Sequence, residues 1–212
     1  MRKAEDPRIM WINGRLGMTF VRPSGEKNER WNSYFVWLSP DGEVRSEPVR
    51  LGRPETNSKN SYIVPLKGGK FALIDRANVP GERPAIQLYT FSSLEELLHP
   101  PAEYWKNHPI PQATILEAPR VFDHIGFNTV INTGDYAEGQ TGIFVLVHLA
   151  KVYDSKVKLY VTALVELRPD TLQPLGDPVI IQSAVPHLLG RKVSEITQEE
   201  LSLNQDKRTK WQ

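Results

Sequence analysis

Apolar residues along this chain come in short runs broken by turn residues, and helical spacing is rare. That pattern predicts many short strands rather than helices. A first block places strands near 8–12, 15–21, 31–38 and 43–50, with turns at Asn13-Gly14 and Pro40-Asp41-Gly42. A second predicts strands near 60–65, 70–76 and 84–91, turning at "KGGK" and ending in a short helix over "SSLEELL". In that helix Ser92 or Ser93 caps, and Glu95 or Glu96 closes the capping box. A third predicts strands near 127–133, 142–152, 157–168 and 177–182, with turns in "TGDYAEGQTG" and "YDSK". Residues 99–119 hold five prolines and read as an irregular crossing. The segment 192–212 reads as a polar tail with one helix near 194–203 and fraying beyond.

The blocks echo one another. "INGRLGMTFVR", "LKGGKFALIDR" and "GQTGIFVLVHLAK" each set a glycine turn before an apolar strand that ends in a polar or charged residue. Gly14 and Gly68 are 54 positions apart, and Gly68 and Gly142 are 74 apart. The excess matches the proline-rich crossing. A unit of three to four strands at such a period predicts an all-β fold of antiparallel β-propeller blades. A two-sheet sandwich with long loops is the alternative. The expected organisation is a propeller domain over 1–190 and a tail over 191–212.

Composition narrows the function classes. The 212 residues carry 26 basic and 25 acidic side chains, a formal net charge of +1. This leaves no electrostatic footprint for nucleic acid. The absence of cysteine removes disulfides, thiolate metal sites and cysteine nucleophiles. No apolar run reaches the ~20 residues of a membrane span, and Asp6, Pro7 and Arg8 stand where a signal peptide would be apolar. A soluble, cytoplasmic protein is expected, with no membrane or nucleic-acid partner.

Candidate chemistry begins at "AEDPRIMWINGRLGMTF", a hairpin with carboxylates at its mouth. Asp6 is either an acid facing a ligand or the cap of a turn before Pro7, with Glu5 paired to Arg8. Arg22, Lys59 and Arg76 stand at strand ends, as anion-binding or merely solvated cations. His148 sits inside the alternating "FVLVHLAK". Asn128 and Thr129 follow the glycine of "IGFN", and Tyr160 lies on the next strand. Trp11, Trp31 and Trp37 offer ring platforms or core. His99, His108, His124 and His187 are scattered without zinc-site spacing. No P-loop, dinucleotide glycine fingerprint or G-x-S-x-G elbow is present.

Four segments, in order, resemble glycoside hydrolase family 130, the five-bladed propeller β-mannoside phosphorylases and mannosidases. They are "EDPRIMWINGRLGMTF", "SKNSYIVPLKGGKFALIDR", "IQLYTFSSLEELLHP" and "HIGFNTVINTGD…TGIFVLVHLAKVYDSKVKLYVTALVEL". The resemblance implies cleavage of a glycoside, a β-mannoside foremost, by phosphorolysis or hydrolysis with inversion. Asp6 would be the single general acid. Lys59 and Arg76, joined by Arg22, would hold phosphate or a substrate anion. His148 would orient the substrate, with Asn128 and Tyr160 on its hydroxyls. Inorganic phosphate is the implied co-substrate, and no metal or other cofactor is expected. Two departures stand out. Asp75 replaces the family's histidine, and "FNTVIN" replaces its prolines. Family members also carry a region before the "EDPR" segment, so the resemblance implies either a short divergent relative or an incomplete propeller that a homo-oligomer or a partner's strands complete. The alternatives are a non-catalytic carbohydrate-binding or assembly module and a related propeller glycosyltransferase.

Overall fold

The computed structural model describes residues 4–24, 30–78, 83–108, 111, 113–132, 142–153, 158–169 and 171–202. The turn over 133–141, residues 154–156 of "YDSK" and the tail from 203 lie outside the described residues. The chain forms two compact units, 1–116 and 117–212.

The first unit contains two four-stranded antiparallel sheets. The first sheet runs β1 (Glu5–Ile12), β2 (Arg15–Ser24), β3 (Arg30–Leu38) and β4 (Val49–Arg50), in that spatial order. Asn13 and Gly14, at φ 50 and 75, make the two-residue turn between β1 and β2. Both central residues of such a turn need positive φ, which asparagine and glycine accept. The strand expected over 43–50 shortens to β4. Pro48 has no N–H for a ladder, and Ser46 Oγ instead accepts from Trp37 N at 2.9 Å.

The second sheet runs β5 (Asn57–Pro65), β6 (Phe71–Asn78), β7 (Ala85–Phe91) and β8 (Ala113–Glu117). Here the structure corrects the irregular crossing expected over 99–119. The segment holds a helix as well as the fourth strand, with α1 (Leu94–Leu98) before it and α2 (Ala102–Asn107) inside it. The prolines punctuate these elements instead of dissolving them. Pro101 precedes α2, and Pro111 and Pro119 flank β8. α1 is capped as expected: Ser93 Oγ accepts from Glu96 N at 3.1 Å, and Glu96 Oε2 accepts from Ser92 N at 2.7 Å. α2 docks on the sheet through Tyr104, whose ring stacks on Phe91 and whose hydroxyl donates to Thr90 O at 2.8 Å.

The core of this unit gathers Met10, Ile12, Phe35, Leu51, Ile63, Leu73, Tyr89 and Phe91. Each such side chain contributes about 1.5–3 kcal/mol on leaving water. Thr19 Oγ1 on β2 donates to Ser61 O on β5 at 2.7 Å, tying one sheet to the other.

The second unit is one four-stranded antiparallel sheet, in spatial order β12 (Val179–Ser183), β11 (Lys158–Leu167), β10 (Ile143–Val152) and β9 (His124–Asn132). On β11 Leu159, Val161, Ala163, Val165 and Leu167 are buried, and Lys158, Tyr160 and Glu166 are exposed. That is the period-two alternation read from the sequence. Residues 191–202 are less tail-like than their polarity suggests. Val193 N donates to Pro178 O, Arg191 pairs with Glu200 at 2.6 Å, and Val193, Ile196 and Leu201 are buried. The helix in this stretch is α3 (Gln198–Ser202).

The fold is therefore all-β, of the β-propeller type built from four-stranded antiparallel blades. No helix among the described residues is long and apolar enough to cross a membrane.

Candidate functional site

The first strand of each sheet is interrupted by a bulge, and each bulge carries an aspartate or asparagine. On β1, Asp6 and Pro7 stand opposite Phe20, between the pairs Glu5↔Val21 and Arg8↔Thr19. On β5, Asn60 and Ser61 stand opposite Asp75, between Lys59↔Arg76 and Tyr62↔Ile74. On β9, Asn128 is the extra residue between Phe127↔Val147 and Thr129↔Leu146. Asp6 and Asn60 have φ of 54 and 62, the left-handed region that Asp and Asn enter more readily than other residues with a side chain. A bulge re-aims the side chains around it, so these strands present polar groups where a regular ladder would not.

In the first unit the bulge residues of the two sheets meet. Asn60 Nδ2 donates to Asp6 Oδ2 at 3.3 Å, and Lys59 Nζ pairs with Glu5 Oε1 at 2.7 Å. Lys59 Nζ also lies 4.4 Å from the centre of the Trp31 ring. Arg8 Nη1 donates to Asp6 O at 2.8 Å. Arg76, the register partner of Lys59, completes the group. Burial lowers the Arg76 pKa below its ordinary value, while Asp75 and Asp6 pull it back up. Burial likewise lowers Arg8, opposed by Asp6 and helped by Arg76. Both guanidinium groups stay charged. The cluster thus sets one exposed carboxylate, Asp6, among three cations, with the second carboxylate, Glu5, already neutralised by Lys59. Such a group is chemically suited to hold an oxyanion next to an acid.

Of the residues expected to act together, the described contacts gather Asp6, Lys59 and Arg76. Arg22 is placed differently. The stretches 5–22 and 59–76 correspond at an offset of 54, which aligns Arg22 with Arg76. The first hairpin has a shorter turn, and Val21 takes the register position that Arg76 holds. A one-residue slip turns a side chain to the other face of a sheet. Arg22 lies over the rings of Phe20 and Tyr34, at 5.4 and 5.6 Å, and lines a cavity of about 280 Å³ with Glu5, Met18 and Val36.

The indoles divide. Trp31 underlies Lys59, Trp37 packs on the core with Arg15 4.0 Å above its ring, and Trp11 is 65% exposed.

In the second unit His148 Nδ1 lies 2.8 Å from Asn128 Oδ1. The carboxamide oxygen only accepts, so Nδ1 carries the proton in this pairing. The Tyr160 ring stands edge-on to His148 at 6.2 Å and is 53% exposed. Asn128, His148 and Tyr160 therefore form one polar group on this sheet.

Sequence reading passed over Asn60, named Arg8 only as a partner for Glu5, and named Asp75 only as a departure from the family pattern. The 54-residue offset was the available signal for Asn60, because it aligns that residue with Asp6. Asp75 carried a different signal, an acid in the middle of the apolar strand "FALIDR".

No family model matches the chain, and no curated protein matches it. Solved structures do. A mannose phosphorylase from Leishmania mexicana, in complex with phosphate ion, aligns with a TM-score of 0.60 at 21% identity, over 84% of this chain and 51% of that one. A GDP-Man-dependent mannosyltransferase from Leishmania mexicana aligns at 0.52 and 16% identity, over 83% of this chain and 51% of that one. A thermostable family-43 glycoside hydrolase aligns at 0.53 and 17%, over 89% and 61%. The likeness is one of fold, that of carbohydrate-active propeller enzymes. The chain spans about half the length of the first two and 61% of the third.

Proposed function

We propose that the protein acts on a glycoside, foremost a β-mannoside, by inverting phosphorolysis, as a divergent relative of glycoside hydrolase family 130. The observation that carries this reading is the first-unit cluster. One exposed carboxylate, Asp6, stands on a left-handed bulge beside Lys59, Arg8 and Arg76. Inverting hydrolysis needs an acid and a separate carboxylate base. Glu5, the nearby carboxylate, is held by Lys59 instead. In phosphorolysis a phosphate oxygen attacks the anomeric carbon, the bond to the leaving oxygen breaks, and Asp6 gives that oxygen its proton. The products are the sugar 1-phosphate with inverted configuration and the free alcohol. Lys59 and Arg76 hold the phosphate, and Arg22 lines the cavity beside Glu5. In the second unit Asn128, His148 and Tyr160 are a hydrogen-bonding set of the kind that takes sugar hydroxyls. The fold shared with a mannose phosphorylase in complex with phosphate ion supports this choice of reaction.

The test is phosphorolysis of a mannoside followed by ³¹P NMR, with wild type and Asp6→Asn side by side. Sugar phosphate formed by wild type and lost in the variant is the expected result. Equal turnover by both removes Asp6 from the role. Hydrolysis without phosphate dependence would move the reaction to the hydrolase alternative.

A second reading, a sugar-binding module without chemistry, draws on the Asn128, His148 and Tyr160 set, which offers hydrogen bonds to hydroxyls. It requires calorimetric sugar binding that Asp6→Asn leaves intact, with no turnover by wild type. Exposed Ile9, Trp11 and Val44 on the first sheet support self-association. Solution mass measurement tests for it.

A further inference from the structure

Asp75 is 1% exposed, and none of the roles above uses it. Its Oδ1 accepts from Ser58 Oγ at 2.5 Å and from Ser61 Oγ at 2.6 Å. Ser58 and Ser61 bracket Lys59 and Asn60, and Asp75 stands opposite the two residues of the β5 bulge. One oxygen atom therefore closes the bulge from both ends. The Ser61 carbonyl is in turn held by Thr19 from the first sheet.

The other oxygen, Oδ2, is buried without a hydrogen-bond partner among the described residues. It faces Gly52, where an added Cβ would stand 3.0 Å away. Gly52 has φ +78 as well, so both the close approach and the backbone require glycine. The charged and titratable groups that act on Asp75 are Arg76 on its own strand, Arg50 at the end of β4 and the Tyr89 phenol on β7. Burial raises the Asp75 pKa, against the opposing pull of Ser58, Ser61, Arg76 and Arg50. Tyr89 is pushed up to about 12, by burial first and then by Asp75. A protonated acid with one unmatched oxygen costs far less in such a place than an unmatched carboxylate.

We propose that Asp75 is a positioning residue whose carboxyl clamps Ser58 and Ser61, and thereby sets the bulge from which Lys59 and Asn60 reach Glu5 and Asp6. The inference rests on the reading of Asp6 and Lys59 as acid and anion-holding group. Asp75 touches no substrate in this scheme. It acts through the two serines, and its isostere asparagine keeps an oxygen for them.

The experiment compares Asp75→Asn, Asp75→Ala and Ser61→Ala with wild type by three readouts. These are amide hydrogen exchange over residues 57–62, calorimetric binding of inorganic phosphate, and kcat and KM for mannoside phosphorolysis. Asp75→Asn is expected to keep bulge protection and to hold phosphate affinity within about threefold, a difference under one kcal/mol. Ser61→Ala, which folds with a smaller loss than Asp75→Ala, is expected to speed exchange at the bulge and weaken phosphate binding about tenfold. A misplaced bulge lowers kcat by on the order of 10²-fold, with the mannoside KM little changed. Where Asp75→Ala does not fold, Ser61→Ala decides. The proposal is overturned if Ser61→Ala leaves exchange and phosphate affinity unchanged. It is also overturned if Asp75→Asn behaves as Asp75→Ala, because charge would then matter and not the clamp. Wild type that neither binds phosphate nor turns over mannoside refutes the functional reading alone, since the exchange pattern still judges Asp75.

Discussion

In the first unit the bulged strands present Asp6, Lys59 and Asn60 among guanidinium groups. In the second, the bulge residue Asn128 pairs with His148, which stands edge-on to Tyr160. Both units use the same device, an extra Asp or Asn residue in the first strand of an antiparallel sheet. What differs is the kind of side chain placed around it, guanidinium and ammonium groups in one unit and an imidazole and a phenol in the other. A bulge among guanidinium groups suits proton transfer and anion binding, and one beside an imidazole and a phenol suits hydroxyl recognition. The blade supplies a place for chemistry, and the side chains beside the bulge decide which chemistry it is.

The largest expected effect tests this division directly. Asp6→Asn should lower kcat by about 10²–10⁴-fold, the usual contribution of a general acid. His148→Ala should act mainly on KM, by about tenfold, for the loss of one hydrogen-bonding partner. A kcat loss in His148→Ala as deep as that of Asp6→Asn would break the contrast between the units. Next in size, Lys59→Ala or Arg76→Ala should weaken calorimetric phosphate binding by roughly 10–100-fold, the worth of a charge-assisted contact. Tyr160→Phe should leave phosphate binding untouched, and a matching loss there would mean that the anion is not held by the first unit.

Stability draws a parallel contrast, because each unit buries apolar residues of its own. Phe35→Ala should cost about 3–5 kcal/mol and Leu159→Ala about 2–5 kcal/mol in denaturant unfolding. Both side chains are 1% exposed. Unfolding of each unit in a separate transition would sharpen the comparison. A single transition shifted equally by both substitutions would join the units into one cooperative system.

The smallest expected effects are in pH dependence, where Asp75 carries the opposite sign to the carboxylates whose pKa is lowered. Burial raises Asp75 in the native state, so the native state holds that proton more tightly than the unfolded chain does. Stability from this group therefore falls as pH rises from the ordinary carboxylate range through its raised native value. Asp75→Asn should flatten that slope in thermal melts. In the second unit, burial raises Asp123, but the Val152 N–H and Lys151 outweigh it, and its pKa is lowered overall. The Thr197 N–H and Arg191 lower Glu200. The stability these two contribute is present above their ordinary values and is lost as pH falls through their native ones. Asp123→Asn should therefore soften acid unfolding. The same acid-side trend is expected from Glu55 and Glu96 in the first unit, both of which are lowered by side-chain hydrogen bonds. The opposite slope, in which stability falls as pH rises, is assigned to Asp75.

Much of the architecture was legible because it rests on local signals. Asn13-Gly14 marked the first hairpin, alternation marked β10 and β11, and two serines with two glutamates marked α1. β8 escaped because its five residues lie among prolines, and a proline-rich stretch reads as irregular until a neighbouring strand pairs with it. Part of the candidate cluster was legible as well, since Asp6, Lys59 and Arg76 stand at strand ends in corresponding blocks. The position of Arg22 was hidden for a geometric reason. The length of the hairpin turn sets register, and register sets the face, so equal spacing in sequence did not mean equal placement. The partners of Asp75 were hidden because burial and side-chain hydrogen bonds across a bulge leave no periodic trace.

Lys59 sits between the Glu5 carboxylate at 2.7 Å and the Trp31 ring at 4.4 Å. The ammonium group therefore behaves like an ion-exchange resin already loaded with a tethered counter-ion. An anion arriving from solution has to displace a carboxylate that stays attached to the same chain. A monoanion offers no Coulombic gain in that exchange, whereas a dianion does. On the proposed reading the pairing would work as a valence filter, one that favours doubly charged guests.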